Sequence, residues 1–293
     1  MIELREATSD ADLEEWRRVR VSVLPDERAP TLQELRAWGR FLLVAWLDGK
    51  LAGSGMAGAS DSPGRGFVAP RVLPEARRRG VGTTLLRALA VRLEGDGFAL
   101  AGASIADPGS FGFAQRFGFE EVNREVEQVR LIAEEQAPRL PPGVEIVSVA
   151  ERPQLWRRVH KELAAQAFED MAFPEPLEVP LERWEGTEWI SWPEATFVAL
   201  ASDEVVGTAG LQRDADRPDR AENGLTAVRR DWRGRGVASA LKRTTLAFAA
   251  VNGIREVFTW TQRGNGDMRR LNEHLGYETR SENILLLGKL PLP

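Results

Sequence analysis

Two short runs of arginine and glycine hold the residues best suited to chemistry in this chain. Arg77-Arg78-Arg79-Gly80-Val81-Gly82-Thr83 and Arg233-Gly234-Arg235-Gly236-Val237-Ala238-Ser239 each follow an apolar, strand-like end and each open a run with helical spacing. Glycine lets a backbone approach an anion closely, the first helical turn leaves its amides without partners, and the helix dipole favours negative charge there. The arginines add positive charge matched to phosphate oxygens. An anion site between a strand and a helix is therefore expected, twice. Glu222 lies just upstream of the second run and can serve as a base if its strand flanks a reaction centre; an ordinary surface carboxylate is the alternative. His160 stands among Arg157, Arg158 and Lys161 and reads as a solvated helix face.

Composition narrows the chemistry further. The 293 residues are 43% hydrophobic and 28% charged, ordinary for a globular chain long enough for two domains. A net charge of −5 disfavours a broad nucleic-acid surface. There are no cysteines and two histidines, so thiol nucleophiles, disulfides and a multi-histidine metal centre are not expected. The start, MIELREATSDADLEEW, lacks the basic and apolar regions of a signal peptide, and no run of about 20 apolar residues suggests a membrane span. A cytoplasmic protein without membrane or nucleic-acid partners, monomeric or homodimeric, is the expectation.

Elements recur in the same order on both sides of Gln136–Gly143, QAPRLPPG, whose three prolines mark an extended linker. In the first half a strand over Ile2–Ala7 precedes a helix to about Val21, and Thr31–Arg40 reads as a second helix. A hairpin at Asp48-Gly49 joins Phe41–Leu47 to Leu51–Ala57. Phe67–Leu73 leads into the first glycine loop. In the second half Val144–Val149 precedes a helix over Pro153–Ala167. Thr196–Leu200 and Val205–Leu211 form the hairpin, and Gly224–Arg229 enters the second loop. Gly53 and Gly207 lie 154 residues apart, Gly80 and Gly236 156, Phe119 and Tyr277 158, a drift expected of duplication with small insertions. The pattern implies an α/β fold of two tandem domains, residues 1–138 and 144–293 around the linker 136–143, each a mixed, mostly antiparallel sheet flanked by helices.

Each half resembles the GNAT superfamily of acyl-CoA-dependent N-acyltransferases, whose signature is Gln/Arg-x-x-Gly-x-Gly/Ala. The second half adds Asn265-x-x-Met268-x-x-x-Asn272-x-x-Leu275-Gly276-Tyr277, similar to the family's late helix and closing turn; the first keeps only Phe117-Gly118-Phe119. The resemblance implies acetyl-CoA as co-substrate. Main-chain amides and arginines at Arg233, Arg235, Gly236, Val237, Ala238 and Ser239 would hold its pyrophosphate, with Ala227–Val228 backbone pairing with pantetheine and Asn265 beside it. The first-half counterparts are Val72, Arg77, Arg79, Gly80, Val81, Gly82 and Thr83. Many members carry a tyrosine acid seven residues after the Asn265 position. Here that position is Asn272, in catalytic or scaffolding use, and in the first half Ala114, which leaves the acid unassigned.

Glu222 is the candidate base, and the matching first-half position by simple offset is Gly66. Trp184, Trp189 and Trp192, with Phe173 and beside Glu182, Glu185 and Glu188, build either a wall for a cationic amine or ordinary core. The resemblance extends to tandem, mycothiol synthase-like members with activity in the C-terminal half. The reading is an N-acetyltransferase acting on a primary amine of a small molecule, without metal. The competing reading is a non-catalytic coenzyme A-binding sensor or scaffold.

Overall fold

Local sequence sets the first elements directly. Strand β1 (Ile2–Glu6) is followed by Ser9, whose side chain accepts from the Asp12 amide and closes a capping box for α1 (Asp10–Val23). Thr31 does the same with Glu34 for α2 (Leu32–Ala37), which stops short of the Arg40 expected from periodicity. Then follow β2 (Phe41–Leu47), β3 (Lys50–Ala59), β4 (Arg65–Val68), β5 (Arg71–Val72), α3 (Val81–Gly95), β6 (Leu100–Ile105), α4 (Pro108–Gln115) and β7 (Glu120–Leu131). Helix α4 escapes sequence patterning because Pro108, Gly109 and Gly112 are poor helix formers; Asp107 caps it by accepting from the Ser110 amide.

The later elements are β8 (Val144–Ser148), α5 (Gln154–Val159), a π-helical turn (His160–Ala164), α6 (Ala165–Glu169), α7 (Leu181–Trp184), β9 (Thr196–Ala201), β10 (Glu204–Arg213), β11 (Arg220–Val228), α8 (Val237–Val251), β12 (Glu256–Gln262), α9 (Gly266–His274) and β13 (Glu278–Lys289). The computed structural model describes residues 1–25, 27–60, 64–135, 138–171, 179–186, 189–214 and 217–293.

Space divides the chain differently from sequence. One compact unit is Met1–Arg124 with Asn283–Pro293, and the other is Glu125–Glu282. The first holds the sheet β1-β2-β3-β4-β6-β13, with β5 beside β3; Ile284–Lys289 of β13 run antiparallel to β6. The second holds β8-β9-β10-β11-β12-β7, with residues 125–131 of β7 antiparallel to β12. The last strand of each sheet thus comes from the opposite sequence half. The division therefore does not fall at the proline-rich stretch 136–143, of which Gln136 and Ala137 lie outside the described residues.

Both units share one device. A single parallel pair, β4–β6 or β11–β12, is hydrogen-bonded for only three residues: Arg65–Phe67 against Leu100–Gly102, and Arg220–Glu222 against Glu256–Phe258. In the second unit the paired end is fixed by a buried ionic cluster. Arg220, fully buried, meets Glu256 at 2.7 Å and Glu127 at 3.5 Å, and Arg280 also pairs with Glu127 and Glu256. Mutual pairing of this kind is what makes buried charge tolerable. Beyond Glu222 the two strands part, with Thr259 Oγ1 donating to the Asn223 carbonyl at 3.0 Å as the last bridge.

Candidate active site

The parting of β11 and β12 opens a crevice of about 660 Å³ within the second unit. Its walls come from β11, β12, the loop before α8, the first turns of α8 and α9, and the end of α6. Glu222, Ala227, Val228, Arg233, Gly236, Val237, Ala238, Ser239 and Asn265 all line it. Arg235 and Asn272 do not. Arg235 stacks on Trp232 at 4.6 Å. Asn272 is fully buried; its Nδ2 donates to Gln128 Oε1 at 2.9 Å, which fixes α9 against β7.

Strand β11 carries a bulge that shapes the crevice. Thr226 faces Ala209 and Asn223 faces Leu211, so β11 has one more residue than β10 between these pairs. Asn223 Nδ2 donates to the Gly210 carbonyl at 3.0 Å and supports the bend. In the first unit β3 keeps one register past β4 and β5 and has no such insertion. The parallel ladders match Arg220 to Arg65, so Phe67 rather than Gly66 is the counterpart of Glu222. The bulge accounts for the one-residue error of simple offset.

Hydrogen-bond phase decides which backbone groups face the opening. The Arg229 amide donates to the Val206 carbonyl at 3.0 Å, and antiparallel pairs alternate along a ladder. Ala227 is therefore bonded to Thr208, while Thr226 and Val228 turn their amides away from β10, toward the crevice. The strand edge offered to an extended ligand is Thr226 and Val228, a correction to the expected Ala227–Val228 pair; Ala227 contributes its side chain.

The loop before α8 has the shape an anion requires. Gly234 and Gly236 hold left-handed φ angles of +73° and +82°. Gly236 is the N-cap of α8 and supplies no side-chain cap, so the first-turn amides of Val237, Ala238 and Ser239 are left for a ligand. Arg233 Nε donates to the Val228 carbonyl at 3.1 Å and its guanidinium pairs with Asp170, which ties the loop to the strand end and to α6. Arg229 pairs with Glu204 and Asp231, and Arg230 with Glu169 and Asp170. Burial pushes the Asp170 carboxyl up, but hydrogen bonds from Arg230 and Arg233 outweigh it and hold it below the usual range. A strand edge with outward amides, running into a glycine loop and an uncapped helix, fits a pantetheine arm ending in a pyrophosphate.

The first loop has the same backbone. Gly80 caps α3 with φ +89° and no side-chain cap, and Arg77 Nε donates to the Val72 carbonyl at 3.2 Å. Arg78 adopts φ +60° where the second loop has Gly234, a conformation that costs a non-glycine residue energy. Arg79 pairs with Asp48 at 2.9 Å. A Cβ on Gly82 would meet Val72 and the Phe113 ring at 3.5 and 3.6 Å, ordinary van der Waals contact.

The acceptor side is part tryptophan core and part open wall. Trp184 is fully buried, stacked between Trp156 and Trp189 with centroids 4.3 and 5.2 Å away. Trp189 also lines the crevice with Ala167 and Met171. Trp192 belongs to a separate cluster with Phe248. Glu185 pairs with Arg157, while Phe173 and Glu188 lie outside the described residues. His160 is not a solvated residue: it packs on Trp184, and its Nε2 lies 2.8 Å from the Val179 carbonyl.

Sequence reasoning missed Lys242. It lies on the crevice face of α8, one turn past Ala238, and is 1% exposed. Burial alone lowers its ammonium from 10.5 to about 7. A lysine among Val237, Leu241 and Leu246 on the buried face of an amphipathic helix is the signal that was available, sharpened by Leu86 at the twin position. Between pH 7 and 10.5 the unfolded chain binds more protons than the folded one, so stability rises with pH through that window. Lys242→Met is expected to gain on the order of 3–4 kcal/mol at pH 7 in urea unfolding, and to lose this advantage above pH 10.5. A variant less stable than wild type at pH 7 contradicts that view of the site.

Comparison with known proteins agrees with this geometry. The model of the Acetyltransferase (GNAT) family matches residues 3–119 and 156–277. Mycothiol acetyltransferase of Geodermatophilus obscurus is 27% identical over 257 residues, covering 85% of this chain and 82% of that protein. N-alpha-acetyltransferase 30 of Schizosaccharomyces pombe is 30% identical over 88 residues, 29% of this chain and 59% of that one. Among solved structures, a tandem GNAT protein from the clavulanic acid biosynthesis pathway superposes with TM-score 0.79 at 17% identity, covering 99% of this chain and 98% of its own. A GCN5-related N-acetyltransferase from Sphaerobacter thermophilus gives 0.73 at 22%, with 98% and 95% covered. At these identities the structures speak to the fold.

Proposed function

The chain belongs to the acetyltransferase (GNAT) family, and on that premise we propose that its second unit transfers an acetyl group from acetyl-CoA to a primary amine of a small molecule. The observation that carries this reading is the continuity of the crevice: outward amides of Thr226 and Val228 lead into the uncapped first turn of α8, with Glu222 at the other end. Bound there, acetyl-CoA supplies the activated acyl group. The Thr226 amide, the outward amide nearer Glu222, is placed to polarise the thioester carbonyl, and the Val228 amide, beside the glycine loop, to pair with the pantetheine arm. Ala221 packs against α8, so Glu222, the next residue, points to the opposite face, the side of Trp189 and Met171. It is placed to take the proton of an amine entering from there. Trp189, Met171 and Ala167 offer an apolar wall with the Glu222 carboxylate on the same side, a combination suited to a cationic amine with an apolar body.

The first unit lacks the corresponding polar groups. Phe67, Leu86 and Ala114 stand where the second unit has Glu222, Lys242 and Asn272, which favours an architectural role. The test is a thermal shift with acetyl-CoA combined with thiol release over a panel of amines. Stabilisation with turnover of at least one cationic amine is expected. Stabilisation with no thiol release from any amine would favour the coenzyme A sensor instead.

A further inference from the structure

Lys242 is a charged side chain held in a place that tolerates charge poorly, and no partner among the described residues accounts for it. Its Nζ has no hydrogen bond or ion pair among the described residues; the Tyr277 ring centroid lies 5.0 Å away. Among the described residues, the other ionisable groups at the crevice are Glu222 on β11, Asp170 at the end of α6, Asp267 in α9 and Arg233 in the loop. None of them acts on its ammonium, whose lowering comes from burial alone. A structural lysine would be expected to have a carboxylate partner, because a lone buried charge is costly. The twin helix solves the packing problem with Leu86, at 3% exposure.

Its position is on the donor side. Ala238, Ser239 and Lys242 all line the crevice from α8, and the Lys242 backbone stands one helical turn, roughly 6 Å, beyond that of Ala238, whose amide is among those that would hold the pyrophosphate. Glu222 points to the opposite face of the sheet, toward the acceptor wall. A thioester threaded between β11 and β12 would therefore have a carboxylate on its acceptor side and an ammonium on its donor side. The late-helix position that would hold a tyrosine is Asn272, buried and bonded to Gln128, away from the crevice.

We infer that Lys242 is the acid of the transfer reaction, giving a proton to the coenzyme A sulfur as it leaves. This rests on the transferase reading above. As the amine nitrogen bonds to the acyl carbon, the C–S bond breaks and its electron pair goes to sulfur. An Nζ–H proton of Lys242 passes to that sulfur, forming the free thiol. Glu222 takes the proton shed by the amine nitrogen, and both groups return to their starting states by exchange with water. The transfer from lysine runs downhill, since a free thiol holds its proton with a pKa of about 8.5, above that of the buried ammonium.

The chain has four lysines, Lys50, Lys161, Lys242 and Lys289, which makes the titration directly observable. In protein labelled with ¹³C at lysine Cε, one of four signals is expected to titrate near neutrality and to vanish in Lys242→Met. With an amine that wild type acetylates, Lys242→Met and Lys242→Arg should each lose about a hundredfold in kcat, as expected for a lost proton donor, and lose the alkaline fall of the pH–rate profile. Acetyl-CoA affinity should stay within about threefold, because the variants leave the glycine loop intact. A lysine signal titrating only above pH 9, or variants with kcat within threefold of wild type, overturns the inference. So does a variant whose loss lies wholly in acetyl-CoA affinity. Wild type that releases no thiol from any amine overturns the transferase reading itself, a distinct result from an active Lys242→Met.

Discussion

Gly236→Asp is expected to abolish acetyl-CoA binding, with affinity falling by at least about a hundredfold in calorimetric titration. Gly236 holds φ +82° as the N-cap of α8, a conformation that strains any side chain, and no neighbour lies within 4 Å of a Cβ built there. The added carboxylate would therefore stand in open space before the first-turn amides, in the place of the pyrophosphate. Its negative charge also repels the pyrophosphate from the positive end of the helix. The variant should remain folded, because Asp enters the left-handed region more readily than most residues and its Cβ meets no neighbour there. An unchanged affinity would mean that this loop is not the anion site.

Glu222→Gln is expected to lower kcat by about a hundredfold or more while leaving acetyl-CoA affinity nearly unchanged. The amide keeps the size of the side chain but takes up no proton at neutral pH. Glu222 sits where the β11–β12 pairing ends, across the bulge from the glycine loop. A kinetic assay showing kcat within threefold of wild type would remove Glu222 from the chemistry and leave water as the proton acceptor.

The legible parts of this molecule were the local ones. Capping boxes at Ser9 and Thr31, the Asp48-Gly49 hairpin and both arginine–glycine loops are written in neighbouring residues, and so is the duplicated order. What escaped depends on partners distant in sequence. The bulge at β11 inserts a residue that no single-chain offset reveals, which is why Phe67, not Gly66, matches Glu222. The phase of the β10–β11 ladder, set by Arg229 and Val206, makes Thr226 rather than Ala227 offer its amide. The exchange of β7 and β13 between the two sheets leaves no local mark, because either strand would read the same beside either neighbour.

Lys242 and Asn272 show the two directions of this error. Asn272 drew attention by occupying a position where a family member has an acid, yet its side chain is turned into the seam with β7. Lys242 drew none, because one lysine in a helical run usually lies on the solvated face. Only burial and the crevice turned toward it distinguish it from an ordinary surface cation. A stability cost retained at a concave, lined site is the kind of local conflict that functional groups impose on a fold.

The second unit as the seat of transfer is tested most directly by thiol release from acetyl-CoA in a matched pair, Gly80→Asp and Gly236→Asp, using an amine that wild type acetylates. Both substitutions place the same side chain at the same left-handed N-cap, at φ +89° and +82°. Turnover by Gly80→Asp within about threefold of wild type, beside a silent Gly236→Asp, is the predicted result. A silent Gly80→Asp beside an active Gly236→Asp would move the reaction to the first unit and contradict the account.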